Sequence, residues 1–136
     1  MKKKILVVDN HPVFLKMMTA LLEKEGHIVM TAGDGLSALA ALQDFTPDVI
    51  FLDLIMPGIG GDKICRMIRK NPKLKEVYVV IVSAVAAEER ANFSDYGADA
   101  CIAKGPFDTM AKHIISALEQ SEQKTSRGRP GEVVGL

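Results

Sequence analysis

Five short apolar segments alternate with stretches of helical periodicity along most of the chain. Two of these segments, Val49–Leu52 and Val77–Val82, are apolar at every position. A strand with one face in water would instead alternate apolar and polar residues. Unbroken apolar strands of this length are typical of a parallel sheet covered by helices on both faces. The pattern therefore predicts an α/β fold, with strands at Lys4–Val8, His27–Ala32, Asp48–Leu52, Val77–Val82 and Ala100–Ala103.

An amphipathic segment follows each predicted strand. The first begins at Pro12, a favourable first-turn residue, and stops at Gly26. The other four are predicted at Leu36–Phe45, around Ile64–Ile68, at Ala87–Tyr96 and from Phe107 to Leu118. Because crossovers between parallel strands are right-handed, this (βα)5 chain is expected to form a doubly wound sheet in three layers, α/β/α. At this size we expect the flavodoxin-like strand order 2-1-3-4-5.

The helical periodicity stops near Ser121. A chain of 136 residues fits one domain, which we place at residues 1–120. Residues 121–136 carry basic residues, glycines and a proline, and are predicted to be a flexible tail or the start of a linker. The pattern leaves open whether the chain stands alone or continues into an effector domain.

Charge and composition restrict the possible partners and location. Lys+Arg and Asp+Glu both number 17, which argues against direct binding to nucleic acid. The apolar run Ile5–Val8 is too short for a signal peptide, and no apolar run reaches the roughly 18 residues of a membrane span. Cys65 and Cys101 lack metal-ligand spacing and suit a reducing compartment. We therefore expect a cytoplasmic protein that does not contact the membrane.

Polar residues stand where the predicted strands end. Asp9 and Asn10 follow the first strand, Asp53 the third, Ser83 the fourth and Lys104 the fifth. Ligands of such sheets bind at the carboxyl ends of the strands. Since neighbouring strands lie about 4.8 Å apart, two carboxylates there would repel each other unless a hard cation such as Mg²⁺ were bound. With a hydroxyl and an ammonium group nearby, the set predicts phosphoryl transfer with Asp53 as the nucleophile.

Over about residues 3–120 the chain resembles the receiver domains of response regulators, including the chemotaxis-type single-domain receivers. The residues that carry the resemblance are Asp9-Asn10, Asp53-Leu54-Ile55-Met56-Pro57 with Gly61, Ser83-Ala84, and Lys104 before Pro106-Phe107.

The resemblance implies a two-component or phosphorelay phosphoprotein. A sensor histidine kinase or phosphotransfer protein would supply the phosphoryl group to Asp53, with Mg²⁺ held by Asp9, Asn10, Asp53 and the backbone carbonyl of Ile55. Ser83 would then move toward the phosphoryl group and repack the face of the fourth helix, fifth strand and fifth helix, through which the chain could also form a homodimer. Such a protein catalyses at most its own phosphorylation and dephosphorylation.

Four positions depart from the family pattern. Asn10 replaces a second acidic residue, so weaker Mg²⁺ binding and slower phosphorylation are expected. Gly105 separates Lys104 from the following proline and is expected to alter the entry into the last helix. Cys101 replaces the usual aromatic switch residue, so the signal must use another motion. Ile55 and Val85 flank the expected path of the hydrolytic water, and we expect a long-lived phosphoryl group.

Two other classes of function are alternatives to an active receiver. Asn10 and Gly105 also suit a degenerate receiver that docks partners without phosphorylation, and Mg²⁺ affinity separates this alternative from an active receiver. An enzyme on the same fold is disfavoured, because no phosphate loop or dinucleotide-binding glycine pattern is present.

Overall fold

The computed structural model describes residues 2–84 and 92–127, with the side chains of 125–127 excepted. The strands are β1 (Lys4–Val8), β2 (Ile28–Ala32), β3 (Val49–Leu52), β4 (Tyr78–Ser83) and β5 (Ala100–Ala103). The helices are α1 (Pro12–Lys24), α2 (Gly35–Asp44), α3 (Gly61–Lys70) and α4 (Phe107–Arg127), with a 3-10 helix at Phe93–Tyr96. No helix among these residues is both long and apolar enough to cross a membrane.

The five strands form one parallel sheet in the order β2-β1-β3-β4-β5. This confirms the predicted fold class and strand order, and each strand end agrees with the sequence prediction to within one residue. β3 and β4 are buried at every position, as their unbroken apolar sequences require.

Alternate residues of the strands pack into two separate apolar layers. On one face the sheet packs against α1 and α4, through residues that include Met18, Leu22 and Ile114. On the other face it packs against α2 and α3, through residues that include Leu42 and Ile64. Because both faces are covered, the molecule has the predicted α/β/α arrangement, and the edge at the carboxyl ends of the strands lies between the two helical layers.

The helical segments differ from the sequence pattern in two places. Of the predicted fourth helix, Ala87–Tyr96, only the part from residue 92 onward is described, and it forms the 3-10 helix that ends at Gly97, where φ is 97°. The last helix, α4, corresponds to the predicted fifth helix. It does not end near Ser121, as the loss of periodicity suggested, but continues to Arg127.

The continuation of α4 past Ser121 has a physical basis in polar contacts that a hydrophobic pattern cannot reveal. The ammonium of Lys124 contacts both carboxylate oxygens of Asp99, at 3.0 and 3.1 Å, and lies 5.5 Å from the centroid of the Tyr78 ring. Lys3 pairs with Glu122 at 3.6 Å. These contacts hold the last turns of the helix against the amino edge of the sheet.

Candidate functional site

Asp53 follows β3 at the centre of the carboxyl edge. Its backbone N–H donates to the carbonyl of Val8 at 2.9 Å, which extends the pairing of β1 and β3 by one residue. Only 4% of the residue is exposed. This burial, followed by the charge of Asp9, raises the pKa of the Asp53 carboxyl, whereas Lys104 and the backbone N–H groups of Leu54 and Ile55 oppose the increase.

Asp9 lies beside Asp53 at the end of β1 and is fully buried. Its Oδ1 accepts hydrogen bonds from the backbone N–H of His11, at 2.9 Å, and lies at the same distance from His11 Nδ1. These contacts turn the chain into α1 and fix the carboxylate at the sheet edge. Ligand atoms of Asp9, His11 and Asp53 all lie within 4.8 Å of one another, so this group could hold a metal ion.

Lys104 follows β5 and brings a positive charge to the two carboxylates. Its backbone N–H donates to the carbonyl of Ser83 at 3.1 Å. The ammonium is 2.5 Å from Asp9 Oδ2 and 3.7 Å from Asp53 Oδ2, and it lies 4.5 Å from the centroid of the Phe14 ring. The long side chain therefore spans β4, as its position two strands from Asp53 requires.

The other residues named from the sequence occupy different positions around this cluster. Ser83 is the last residue of β4 and is 1% exposed, whereas Asn10 is exposed. Ile55 is 64% exposed. Cys101 is half-buried on β5 and packs against the apolar layer of α2 and α3. Val85 lies outside the described residues.

Two side chains that the sequence analysis does not place in the site contact its residues. His11 reads as an ordinary loop histidine in the sequence, yet it contacts Asp9 directly. Phe14 shows only as an apolar residue of an amphipathic helix, yet its ring contacts the ammonium of Lys104. The available signal was the position of Phe14 in the first turn of the predicted helix that follows Asp9.

Gly61 lets the first turn of α3 approach the site. Its backbone N–H donates to the carbonyl of Leu54 at 2.9 Å. A Cβ at this position would overlap the backbone carbonyl of Asp53. The glycine that follows Asp53 in the sequence is thus required by a close contact between two backbone segments.

The comparison with known families agrees with this geometry. The family model of the response regulator receiver domain matches residues 5–119. The chain belongs to this family. The receiver domain thus comprises all five strands and the site at their carboxyl edge.

Among curated proteins, this receiver is 32% identical to the response regulator PleD of Caulobacter vibrioides over 99% of its own length and 32% of that of PleD. It is 42% identical to the DNA-binding response regulator MtrA of Mycolicibacterium smegmatis over 52% of this chain and 31% of MtrA. The chain thus spans about a third of the length of these relatives.

A solved structure with the same fold is that of the response regulator TrrA of Thermotoga maritima in complex with Mg²⁺-BeF. It is 31% identical, superposes with a TM-score of 0.72, and covers 85% of this chain and 98% of its own. The Mg²⁺ in that structure is bound to TrrA.

Proposed function

We propose that this receiver accepts a phosphoryl group on the carboxylate of Asp53, from the phosphohistidine of a histidine kinase or phosphotransfer protein. The observation that carries the proposal is the meeting of Asp9, Asp53 and Lys104 at one edge of the sheet, with the ammonium of Lys104 contacting both carboxylates. The ammonium of Lys104 supplies positive charge for the phosphoryl oxygens beside the acceptor carboxylate. The two carboxylates supply oxygen ligands for a divalent cation, which would offset their own negative charge.

The reaction exchanges one bond to phosphorus for another. An oxygen of Asp53 forms a bond to phosphorus, the bond from phosphorus to the donor's imidazole nitrogen breaks, and that nitrogen keeps the electron pair. Lys104 would neutralise charge on the phosphoryl oxygens, and Ser83 would donate its hydroxyl to one of them. Positioning and charge neutralisation account for most of the catalysis expected in such a transfer.

The residues present fit a magnesium ion. The carboxylates of Asp9 and Asp53 supply hard oxygen ligands close together, and the amide oxygen of Asn10 and the backbone carbonyl of Ile55 are proposed as further ligands. When bound, Mg²⁺ would neutralise negative charge shared between the carboxylates and the phosphoryl group. Since Asn10 brings no charge, we expect weaker binding than an aspartate would give.

The proposal is tested by intact mass. The protein is incubated with Mg²⁺ and a small phosphodonor such as phosphoramidate, beside an Asp53→Ala control. We expect a gain of one phosphoryl mass that is absent in the control and is lost when Mg²⁺ is chelated. No gain at high Mg²⁺, with Asn10→Asp gaining the phosphoryl group under the same conditions, would contradict the proposal.

The alternative is a phosphorylation-independent docking module. It is favoured by the uncharged, exposed Asn10 and by the insertion of Gly105 after Lys104. In that case partners would bind equally well to the parent and to Asp53→Ala. An equal affinity of both proteins for a captured partner, measured with and without phosphodonor, would support this alternative.

The persistence of the phosphoryl group is a separate proposal. The apolar Ile55 is largely exposed beside Asp53 and would disfavour an ordered attacking water. We expect slow first-order loss of phosphate from the isolated phosphoprotein, and faster loss in an Ile55→Asn variant. Rapid loss from the parent would contradict this expectation.

The signalling output is proposed from the relatives. PleD and MtrA are about three times as long as the matched region, so the receiver is proposed to signal to a fused domain or a separate effector. The proposed location is the cytoplasm. The face proposed to carry the signal is formed by the predicted fourth helix, β5 and α4, which is the predicted fifth helix. Ser83 and Cys101 are the proposed switch positions. This face is also the proposed site of homodimer formation.

A further inference from the structure

We infer that Phe14 is a positioning residue for Lys104, whose ammonium it holds at the phosphoacceptor carboxylate. The inference rests on the proposed phosphorylation of Asp53 and adds to it a residue outside the strand-end set. It starts from one juxtaposition, the 4.5 Å between the Lys104 ammonium and the centroid of the Phe14 ring.

The two ends of Lys104 are fixed by different elements. Its backbone is anchored to β4 by the hydrogen bond to the Ser83 carbonyl. Its ammonium lies between the carboxylates of Asp9 and Asp53 on one side and the Phe14 ring on another. A lysine stem has four rotatable bonds, so a contact at the ammonium is what selects the conformation that crosses β4.

Phe14 is suited to this task because it is itself held in place. It lies in the first turn of α1 and packs against the apolar layer formed by α1, α4 and the sheet. The electron-rich face of an aromatic ring attracts an ammonium without forming a fixed hydrogen bond. The contact can therefore persist when the ammonium exchanges a carboxylate oxygen of Asp9 for a phosphoryl oxygen.

Gly105 makes the restraint more important. It follows Lys104 directly, and a Cβ placed on it would meet no atom of the described residues within 4 Å. Glycine in an open position adds backbone freedom next to the lysine. Since no described residue packs on that side, α1 supplies the restraint on the side chain from across the sheet edge.

The test compares Phe14→Leu, which removes the ring, with Phe14→Tyr, which keeps it. The rate of phosphoryl gain from phosphoramidate at saturating Mg²⁺ should fall by about five-fold in Phe14→Leu, the factor that corresponds to a contact of about 1 kcal/mol. Phe14→Tyr should stay within about two-fold of the parent. Met17→Ala, which truncates another half-buried side chain of α1, controls for lost packing and should leave the rate within the same range.

A second readout does not depend on phosphorylation. In the parent, the ε-methylene protons of Lys104 should show an upfield ring-current shift in the NMR spectrum. The shift should remain in Phe14→Tyr and Met17→Ala and disappear in Phe14→Leu. Its absence in the parent, or an equal rate for Phe14→Leu and the parent, would overturn the inference. If the parent gains no phosphoryl group, the proposed function fails, and the ring-current shift alone then decides whether Phe14 holds Lys104.

Discussion

At the scale of single residues, the site places a buried acid where its charge is unfavourable. Burial and the neighbouring Asp9 raise the pKa of Asp53, so the folded protein binds a proton there more readily than the unfolded chain does. The ionised carboxylate therefore lowers the stability of the fold, and this cost is fully present above the folded-state pKa.

The first prediction follows from the raised pKa of Asp53, because ionisation of this buried carboxyl lowers the stability of the fold. Without Mg²⁺ at neutral pH, Asp53→Asn should unfold at a higher temperature than the parent. The difference should shrink as the pH falls through the folded-state pKa toward the unfolded value of about 4. Thermal unfolding at several pH values measures both effects, and Asp44→Asn, which alters an exposed carboxylate on α2, is the control. A lower midpoint for Asp53→Asn at neutral pH would contradict the argument.

The second prediction concerns the backbone behind Asp53. Gly61→Ala should destabilise the fold by about 1–3 kcal/mol, the usual cost of forcing extra atoms into a packed site. The new Cβ would push against the carbonyl of Asp53, so phosphoryl gain should slow as well. Urea unfolding measures the loss of stability, with Gly33→Ala as the control. At Gly33 a Cβ meets no described atom within 4 Å, so stability should change by less than about 0.5 kcal/mol.

The strand-end residues could be predicted from the sequence, whereas their contacts could not. The apolar strands place Asp9, Asp53 and Lys104 at one edge, because parallel strands share a direction. The structure adds that the ammonium contacts Asp9 more closely than Asp53. That preference depends on the conformation of the Lys104 side chain and on its contact with Phe14 of α1. The pattern of apolar and polar residues along the chain predicts neither the conformation nor the contact.

At the scale of elements, the far end of α4 is held by a charged cluster around Asp99. The side chain of Asp99 is 7% exposed. It accepts from Arg69 of α3 at 2.7 Å, from Lys124 of α4 at 3.0 Å, and from the backbone N–H of Val79 at 2.9 Å. One carboxylate thus joins two helices on opposite faces to the amino edge of the sheet.

The third prediction is that Asp99→Asn costs about 3 kcal/mol, because two half-buried cations lose their shared counter-charge. Amide exchange should quicken in the last turns of α4 before it does in β1. Asp95→Asn, at an exposed position of the 3-10 helix, is the matched control and should neither lower stability nor quicken amide exchange. Unchanged urea unfolding of Asp99→Asn would show that the cluster does not stabilise the fold.

The sequence pattern predicts an end of the last helix near Ser121, six residues before its end at Arg127. Helices are recognised by apolar periodicity, and that periodicity is lost beyond Leu118. The next turns are held by ion pairs to residues distant in the sequence, Asp99 and Lys3. Strand limits, in contrast, were predicted closely because burial on both faces leaves a continuous apolar signal.

At the scale of the whole molecule, one histidine links global stability to pH. Nδ1 of His27 accepts the backbone N–H of Lys3 at 3.1 Å, where the first two strands begin. Accepting requires the neutral ring. Burial, followed by the chain's amino terminus and Lys3, lowers the pKa of His27, so the unfolded chain binds the proton more readily.

The fourth prediction is therefore a loss of stability on acidification. The contribution of His27 should be complete above the unfolded pKa of about 6.5 and should be lost as the pH falls from there through the folded-state pKa. Urea unfolding between pH 5 and pH 8, in steps of about half a unit, should show a flatter pH dependence for His27→Gln than for the parent. His113→Gln, at an exposed position of α4, should keep the parent's slope, and identical slopes for all three proteins would refute the link.

The different burial of the two cysteines makes the molecule suitable for site-selective labelling. The sequence has two thiols. Cys65 is fully buried, and burial raises its pKa to about 11, which leaves almost no thiolate to react at neutral pH. Cys101 is half-buried on β5. A small thiol-reactive fluorine probe should therefore attach selectively at Cys101 in the unaltered protein. Its spectrum would then report on β5, beside Lys104, when the proposed phosphorylation of Asp53 is tested.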